Sequence, residues 1–136
     1  MEYLGFWVTR NGVKPINRKI EEITNMKPPT SRKELQRFMG VVNYYRDMWL
    51  RRSHTLAPLT RMTLNKRKFK WKKVKQDSFD KIKRTVPRNT LLTYPDFNET
   101  FKIHTDASAF QLGAVIHQKV KPITFFGKKI TDSQQR

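Results

Sequence analysis

The apolar residues change their spacing along the chain, and the change predicts where helices give way to strands. In EYLGFWVTRNGVKPI, two apolar runs flank Asn11-Gly12, a pair that tolerates positive φ, which predicts a β-hairpin with strands near residues 2–9 and 13–16. NRKIEEITNMKPP puts Ile20, Ile23 and Met26 on one side of a short helix stopped by Pro28 and Pro29. Ser31 and Glu34 then form a capping box. Leu35, Phe38, Met39, Val42, Tyr45 and Trp49 follow at spacings of three and four, the stripe of an amphipathic helix. Gly40 within it costs about 1 kcal/mol against Ala and implies the close approach of another backbone. SHTLAPLTRMTL predicts a second short helix with Pro58 near its first turn. A third runs from about Val74 to Val86, with Phe79 and Ile82 inward, and ends at Pro87.

The texture changes near Pro95-Asp96-Phe97. FKIHTDAS, QLGAVIHQ and KPITFFGKKI are three strand candidates, and TDSQQR reads as a capped helix start. The fold class implied is α+β, with a boundary near residue 90 separating a hairpin and helices from a three-stranded sheet.

Charge sharpens this picture. Over 136 residues there are 29 Lys and Arg against 11 Asp and Glu, a net charge of +18. Residues 51–88 hold fourteen of the cations against Asp77 and Asp80, which leaves +12 in that stretch. Such an excess repels itself in a compact fold and matches a polyanion, nucleic acid before an anionic membrane surface; a merely solvated basic face is the plainer alternative. In KFKWKK, Phe69 and Trp71 alternate with lysines, a pattern suited either to stacking on bases or to the inward side of an extended segment. There are no cysteines, and His54, His104 and His117 have no ligand-like spacing, so any metal must be held by oxygen. No run of 18 apolar residues and no signal-like N-terminus occurs, which points to an intracellular protein, in cytoplasm or nucleus, without membrane insertion.

One residue does not fit the strand pattern. Asp106, in FKIHTDAS, is a carboxylate in what reads as a buried strand, where an ionised Asp needs a partner, a hydrogen bond or a metal. A local turn capped through Ser108 is the structural alternative.

Taken in order, the segments resemble the C-terminal half of the reverse transcriptase of gypsy-type long-terminal-repeat retrotransposons running into its ribonuclease H domain. YLGFWVTRNGVKP is similar to the hairpin that helps hold the primer end. PPTSRKELQRFMGVVNYYRDMW with LAPLTRMT is similar to the thumb helices, FKWKKVKQDSFDKIKRTV to the connecting helix, and LLTYPDFNETFKIHTDASAFQLGAVIHQ to the entry into ribonuclease H. The resemblance covers essentially the whole chain. It implies primer-grip hairpin, thumb and connecting helix over 1–90, and over 91–136 the first three strands of an incomplete ribonuclease H-like mixed sheet.

It also implies roles. Asp106 matches the first carboxylate of the ribonuclease H centre, a metal ligand for Mg²⁺, and such centres hold two ions about 4 Å apart among several carboxylates. The remaining carboxylates, and the Tyr-x-Asp-Asp motif of the polymerase, are not in this sequence, so the expectation is a catalytically silent segment that binds no Mg²⁺ itself. Arg32, Arg37, Arg51, Arg52, Lys66, Arg67, Lys68, Lys70, Lys72 and Lys73 would lie along the phosphates of an RNA–DNA hybrid or primer–template duplex. Phe6 and Trp7 would lie near the primer end, or serve as hairpin core. Three readings follow: a segment of a polymerase polyprotein, a standalone basic nucleic-acid-binding protein, or a non-functional relic whose uncovered sheet favours aggregation.

Overall fold

The structure, a computed structural model, describes residues 1–49, 52–64, 68–86, 90–107 and 111–130, except the side chains of Arg52 and Lys129. An N-terminal antiparallel sheet contains β1 (Glu2–Tyr3), β2 (Phe6–Thr9) and β3 (Gly12–Pro15). Four helices follow: α1 (Asn17–Asn25), α2 (Arg32–Tyr44), α3 (Arg52–Leu64) and α4 (Lys73–Thr85), with a 3-10 turn at Arg46–Met48. A second antiparallel sheet holds β4 (Lys102–Ala107), β5 (Gln111–Gln118) and β6 (Lys121–Lys129).

The predicted first strand is broken. Tyr3 pairs with Phe6 around Leu4 and Gly5, whose φ angles of 47° and 80° turn the chain sharply. The next turn is centred on Arg10-Asn11 and not on Asn11-Gly12, because Thr9 pairs with Gly12. Thr9 Oγ1 fixes that register by donating to the Gly12 carbonyl at 2.9 Å and accepting from the Asn11 N–H at 3.2 Å. Gly12 is needed for another reason. Its φ is +148°, and a Cβ there would overlap the Leu92 carbonyl oxygen.

The helix stripes are buried as spaced, although α2 ends at Tyr44, so Tyr45 and Trp49 reach the core from beyond the helix, on either side of the 3-10 turn. Ile20, Ile23, Leu35, Phe38, Val42, Leu59, Phe79 and Ile82 close a common core, with the Phe38 and Phe79 rings 4.7 Å apart. Truncating any of its fully buried Leu or Ile side chains to Ala costs about 2–5 kcal/mol. Ser31 Oγ accepts from the Glu34 N–H as a cap should, but the returning bonds go one residue back. The Thr30 N–H and Oγ1 donate to Glu34 at 2.7 and 2.9 Å and hold its carboxyl below the usual value. Pro58 lies inside α3 rather than in its first turn, so the His54 carbonyl has no i+4 amide donor.

Tyr45 ties the helices to the first sheet. Its hydroxyl donates to the Gly5 carbonyl at 2.9 Å, and burial pushes its pKa from 10.0 up to about 12. A raised phenol pKa favours folding below the unfolded value of 10.0, and that stability is lost as pH rises through about 12. Tyr45→Phe is therefore expected to cost about 1 kcal/mol at neutral pH. Above pH 12 the order reverses, because the wild type alone loses up to about 3 kcal/mol from this group. Urea unfolding of both proteins at the two pH values checks the crossover.

The three C-terminal strands match the predicted segments closely. β4 is an edge strand exposed along its length, which corrects the expectation of a buried Asp106. β6 packs against the 3-10 turn and α3. The predicted helix at 131–136 lies outside the described residues. Among the described residues, no helix is long and apolar enough to cross a membrane.

Candidate nucleic-acid interface

The segment from Lys68 to Lys72 is extended, so its side chains alternate. Phe69 and Trp71 turn inward and stack at 6.1 Å and 15°; Trp71 meets the Phe79 ring edge-on and donates Nε1–H to Gln76 Oε1 at 2.6 Å. Of the two readings of KFKWKK, the inward one is observed: these rings hold the segment against the core. Lys68, Lys70 and Lys72 project to solvent.

Those lysines line a cleft of about 540 Å³ with Arg32 of α2, Arg61 of α3 and Lys75 of α4. Among the described residues six cations face it, with no acidic residue on its walls. Four of them were named from the sequence. Arg61 and Lys75 were not, because only the packing of α3 on α4 brings them there. Arg37 and Lys73 are exposed on α2 and α4 but do not line the cleft. Arg52 opens α3, and its side chain lies outside the described residues, as do Arg51, Lys66 and Arg67 altogether.

A second groove, about 530 Å³, runs between α2 and α3 and changes character. Gln36, Gly40 and Asn43 line one side, and Ser53, Ala57, Thr60 and Thr63 the other. These are uncharged hydrogen-bonding or small groups, and the apolar Met39, Leu56 and Leu64 complete the lining. Arg32, Gln36, Gly40 and Asn43 recur at helical spacing, so they form one row leading from the basic cleft into this groove. At its other end Ser53 reaches β6, where a Cβ on Gly127 would stand 3.1 Å from Ser53 Oγ. Asp106 shares that face of the sheet: it pairs with Gly113, which pairs with Gly127.

Gly40 reverses the sequence reading. A Cβ there would meet nothing within 4 Å, so among the described residues no backbone from outside the helix approaches it. Gly40→Ala is expected to stabilise the fold by about 0.5–1 kcal/mol through helix propensity. Thermal unfolding checks this.

Phe6 serves as core, stacked on Tyr44 at 5.2 Å and edge-on to Tyr45 at 5.4 Å. Trp7 points the other way and is 43% exposed. Near Asp106, the His104 and His117 rings stack at 4.6 Å, a contact set by cross-strand register that sequence spacing hides. Among the described residues, no three His, Cys, Asp or Glu side chains converge to hold a metal ion. The described side chains around Asp106 thus do not fit the donor set of a two-metal pair.

Residues 71–136 match the family model of the RNase H-like domain found in reverse transcriptase. The Pol polyprotein of transposon 297 from Drosophila melanogaster is 33% identical over 97% of this chain, which spans 13% of that protein. The transposon Tf2-3 polyprotein of Schizosaccharomyces pombe is 27% identical over 98% of the chain, which covers 10% of its length. Among solved structures, the foamy viral protease-reverse transcriptase in complex with an RNA/DNA hybrid superposes with a TM-score of 0.87 at 22% identity, over 98% of this chain and 19% of that one. The same viral enzyme with double-stranded DNA gives 0.88 at 21% identity, over the whole of this chain and 29% of that one. Residues 71–136 thus belong to the RNase H-like domain found in reverse transcriptase, and the chain as a whole is similar to a short stretch of long-terminal-repeat retrotransposon Pol polyproteins.

Proposed function

We propose that this chain is a duplex-holding portion of a retrotransposon reverse transcriptase. It grips an RNA–DNA hybrid or primer–template duplex by charge and shape, without reading sequence and without hydrolysing it. In this reading residues 1–90 act as primer-grip hairpin, thumb and connecting helix, and residues 91–136 as the entry to the ribonuclease H-like domain, inside the cell. Mg²⁺ belongs to the larger polyprotein, where further carboxylates complete the set that Asp106 begins. The carrying observation is the continuous track in which six cations give way to the uncharged groove opened by Gly40. Cations suit phosphates, while small and amide side chains suit the shallow groove of an A-like helix and its 2′-hydroxyls. The foamy viral relatives solved with hybrid and duplex DNA support the reading.

The test is fluorescence anisotropy with a labelled RNA–DNA hybrid across salt concentrations. Saturable binding is expected, and six neutralised phosphates set an upper slope of about −5 in log K against log salt. Absence of saturable binding, or a slope near zero, overturns the proposal. Gly40→Leu should weaken hybrid binding, since a Cβ at this position meets no described atom within 4 Å and a longer side chain would fill the groove; thermal unfolding checks that the fold is retained.

A second reading has one observation in its favour. Ile103, Leu112 and Phe126 share a sheet face and are 62%, 43% and 54% exposed, which favours self-association. Light scattering at the concentrations used for binding separates the two: a monodisperse binder supports the first, and aggregation without saturable binding the second.

A further inference from the structure

The segment joining the helices to the C-terminal sheet is hydrogen-bonded on both sides. Leu92 exchanges two backbone bonds with Val13 on β3, at 2.8 and 2.9 Å. The next residue turns the other way: the Thr93 N–H and Oγ1 both donate to the Pro122 carbonyl on β6, at 2.8 and 3.1 Å. Tyr94 returns to the first sheet, its hydroxyl donating to the Thr9 carbonyl at 3.0 Å. Successive residues therefore grip opposite sheets.

Further along, one side chain locks the segment to the second sheet. Gln118, at the end of β5, is only 7% exposed. Its Oε1 accepts from the Asp96 N–H at 2.9 Å, while its Nε2 donates to the Asp96 and Glu99 carbonyls at 2.8 and 3.0 Å. A buried amide with these bonds made is rigid, and each bond is costly to leave unmade. Beside it, Lys119 pairs with Glu99 at 2.9 Å. The two-residue turn after Gln118 uses Lys119 and Val120 at φ 48° and 66°, conformations that a β-branched residue keeps only where its surroundings impose them.

Packing alone does not set the geometry here. Under the segment lies a cleft of about 300 Å³ whose walls come from both halves, Phe6 and Tyr44 on one side and Ile123 on the other. What spans that gap is the hydrogen-bonded chain. We propose that the segment from Leu92 to Glu99 is a rigid brace setting the angle between the helical layer and the C-terminal sheet, with Gln118 as the positioning residue that locks it. Its use rests on the duplex-binding reading above: fixing that angle fixes how a duplex in the α2–α3 groove meets the sheet face that carries Asp106. Without the lock, the Thr93–Pro122 bonds and the contacts of β6 with the 3-10 turn and α3 remain, and they act as a hinge about which the sheet can turn.

The chain has no cysteine, so one spin label can be placed on each half through Glu21→Cys on α1 and Lys102→Cys on β4, both exposed. Pulsed electron–electron distance measurements on the full chain, without nucleic acid, should give one narrow distribution. Gln118→Met removes all three bonds at similar volume and should broaden it about twofold or more as the hinge is freed. Circular dichroism verifies that the variant is folded. Should it not fold, Gln118→Ala, which leaves room for water to reach the freed backbone groups, should broaden the distribution likewise. An unchanged width in a folded Gln118→Met, or in Gln118→Ala if that is the variant that folds, overturns the brace. Because no nucleic acid is present, this result stands apart from the hybrid-binding test, which can fail while the brace holds.

Discussion

Replacing Lys68, Lys70 and Lys72 together by glutamine is expected to weaken RNA–DNA hybrid binding by about 10²- to 10³-fold near 0.1 M salt, with a further loss on replacement by glutamate. The magnitude follows from counterion release. Three neutralised phosphates lower the salt slope by up to about 2.7, and at that salt each is worth about 1.2 kcal/mol. The fold should be unaffected, because all three side chains are exposed and the Phe69–Trp71 stack that seats the segment is unchanged. Removing like charge from a chain of net +18 is, if anything, mildly stabilising. Anisotropy titrations beside thermal unfolding measure both quantities. Affinity within threefold of wild type would mean that the cleft does not meet phosphate.

Gly12→Ala is expected to cost at least about 3–5 kcal/mol, a large part of the 5–15 kcal/mol that holds a typical domain together. Two effects add. The φ of +148° is unfavourable for any side chain, and the new Cβ overlaps the carbonyl oxygen of Leu92, with the Leu92 carbonyl carbon at 2.9 Å and the Thr93 Cα at 3.0 Å. Every obstructing atom is backbone, so no rotamer change relieves the clash. The cheapest relief is to part β3 from Leu92, which breaks the bonds they exchange and detaches the inter-sheet segment at its start. Urea denaturation reports the loss, and a cost under about 1 kcal/mol would show that the segment yields easily. Set beside Gly40→Ala, which should stabilise, the pair shows that a glycine's role depends on what surrounds its missing side chain.

Where local spacing decides structure, the sequence was readable. The stripe from Leu35 to Trp49 is buried, the Ser31 cap forms, and β5 occupies the whole of QLGAVIHQ. Where neighbours decide, it was not. Asn-Gly signals a turn, yet Thr9 moved that turn back by one residue, and Leu4 entered a positive-φ turn that propensity disfavours. Alternation in KFKWKK was visible, but which side faced the core depended on Phe79 and Gln76. The basic cleft was half legible, since Arg32, Lys68, Lys70 and Lys72 stood out by composition while Arg61 and Lys75 join them only through helix packing. Gly40 in a helical stripe signals close backbone approach, yet a Cβ there would meet nothing within 4 Å among the described residues. Gln118 gave no signal, because a glutamine closing a strand looks like any polar strand end until Asp96 and Glu99 fold against it.

The central claim is that a duplex lies along the row of Arg32, Gln36, Gly40 and Asn43 and into the basic cleft. Hydrogen–deuterium exchange with and without a saturating RNA–DNA hybrid tests where it lies. The account predicts added protection over residues 32–43, 53–63 and 68–75, with the outer strand β1 unchanged. Protection confined to the exposed face of Ile103, Leu112 and Phe126, with none along α2, would contradict it.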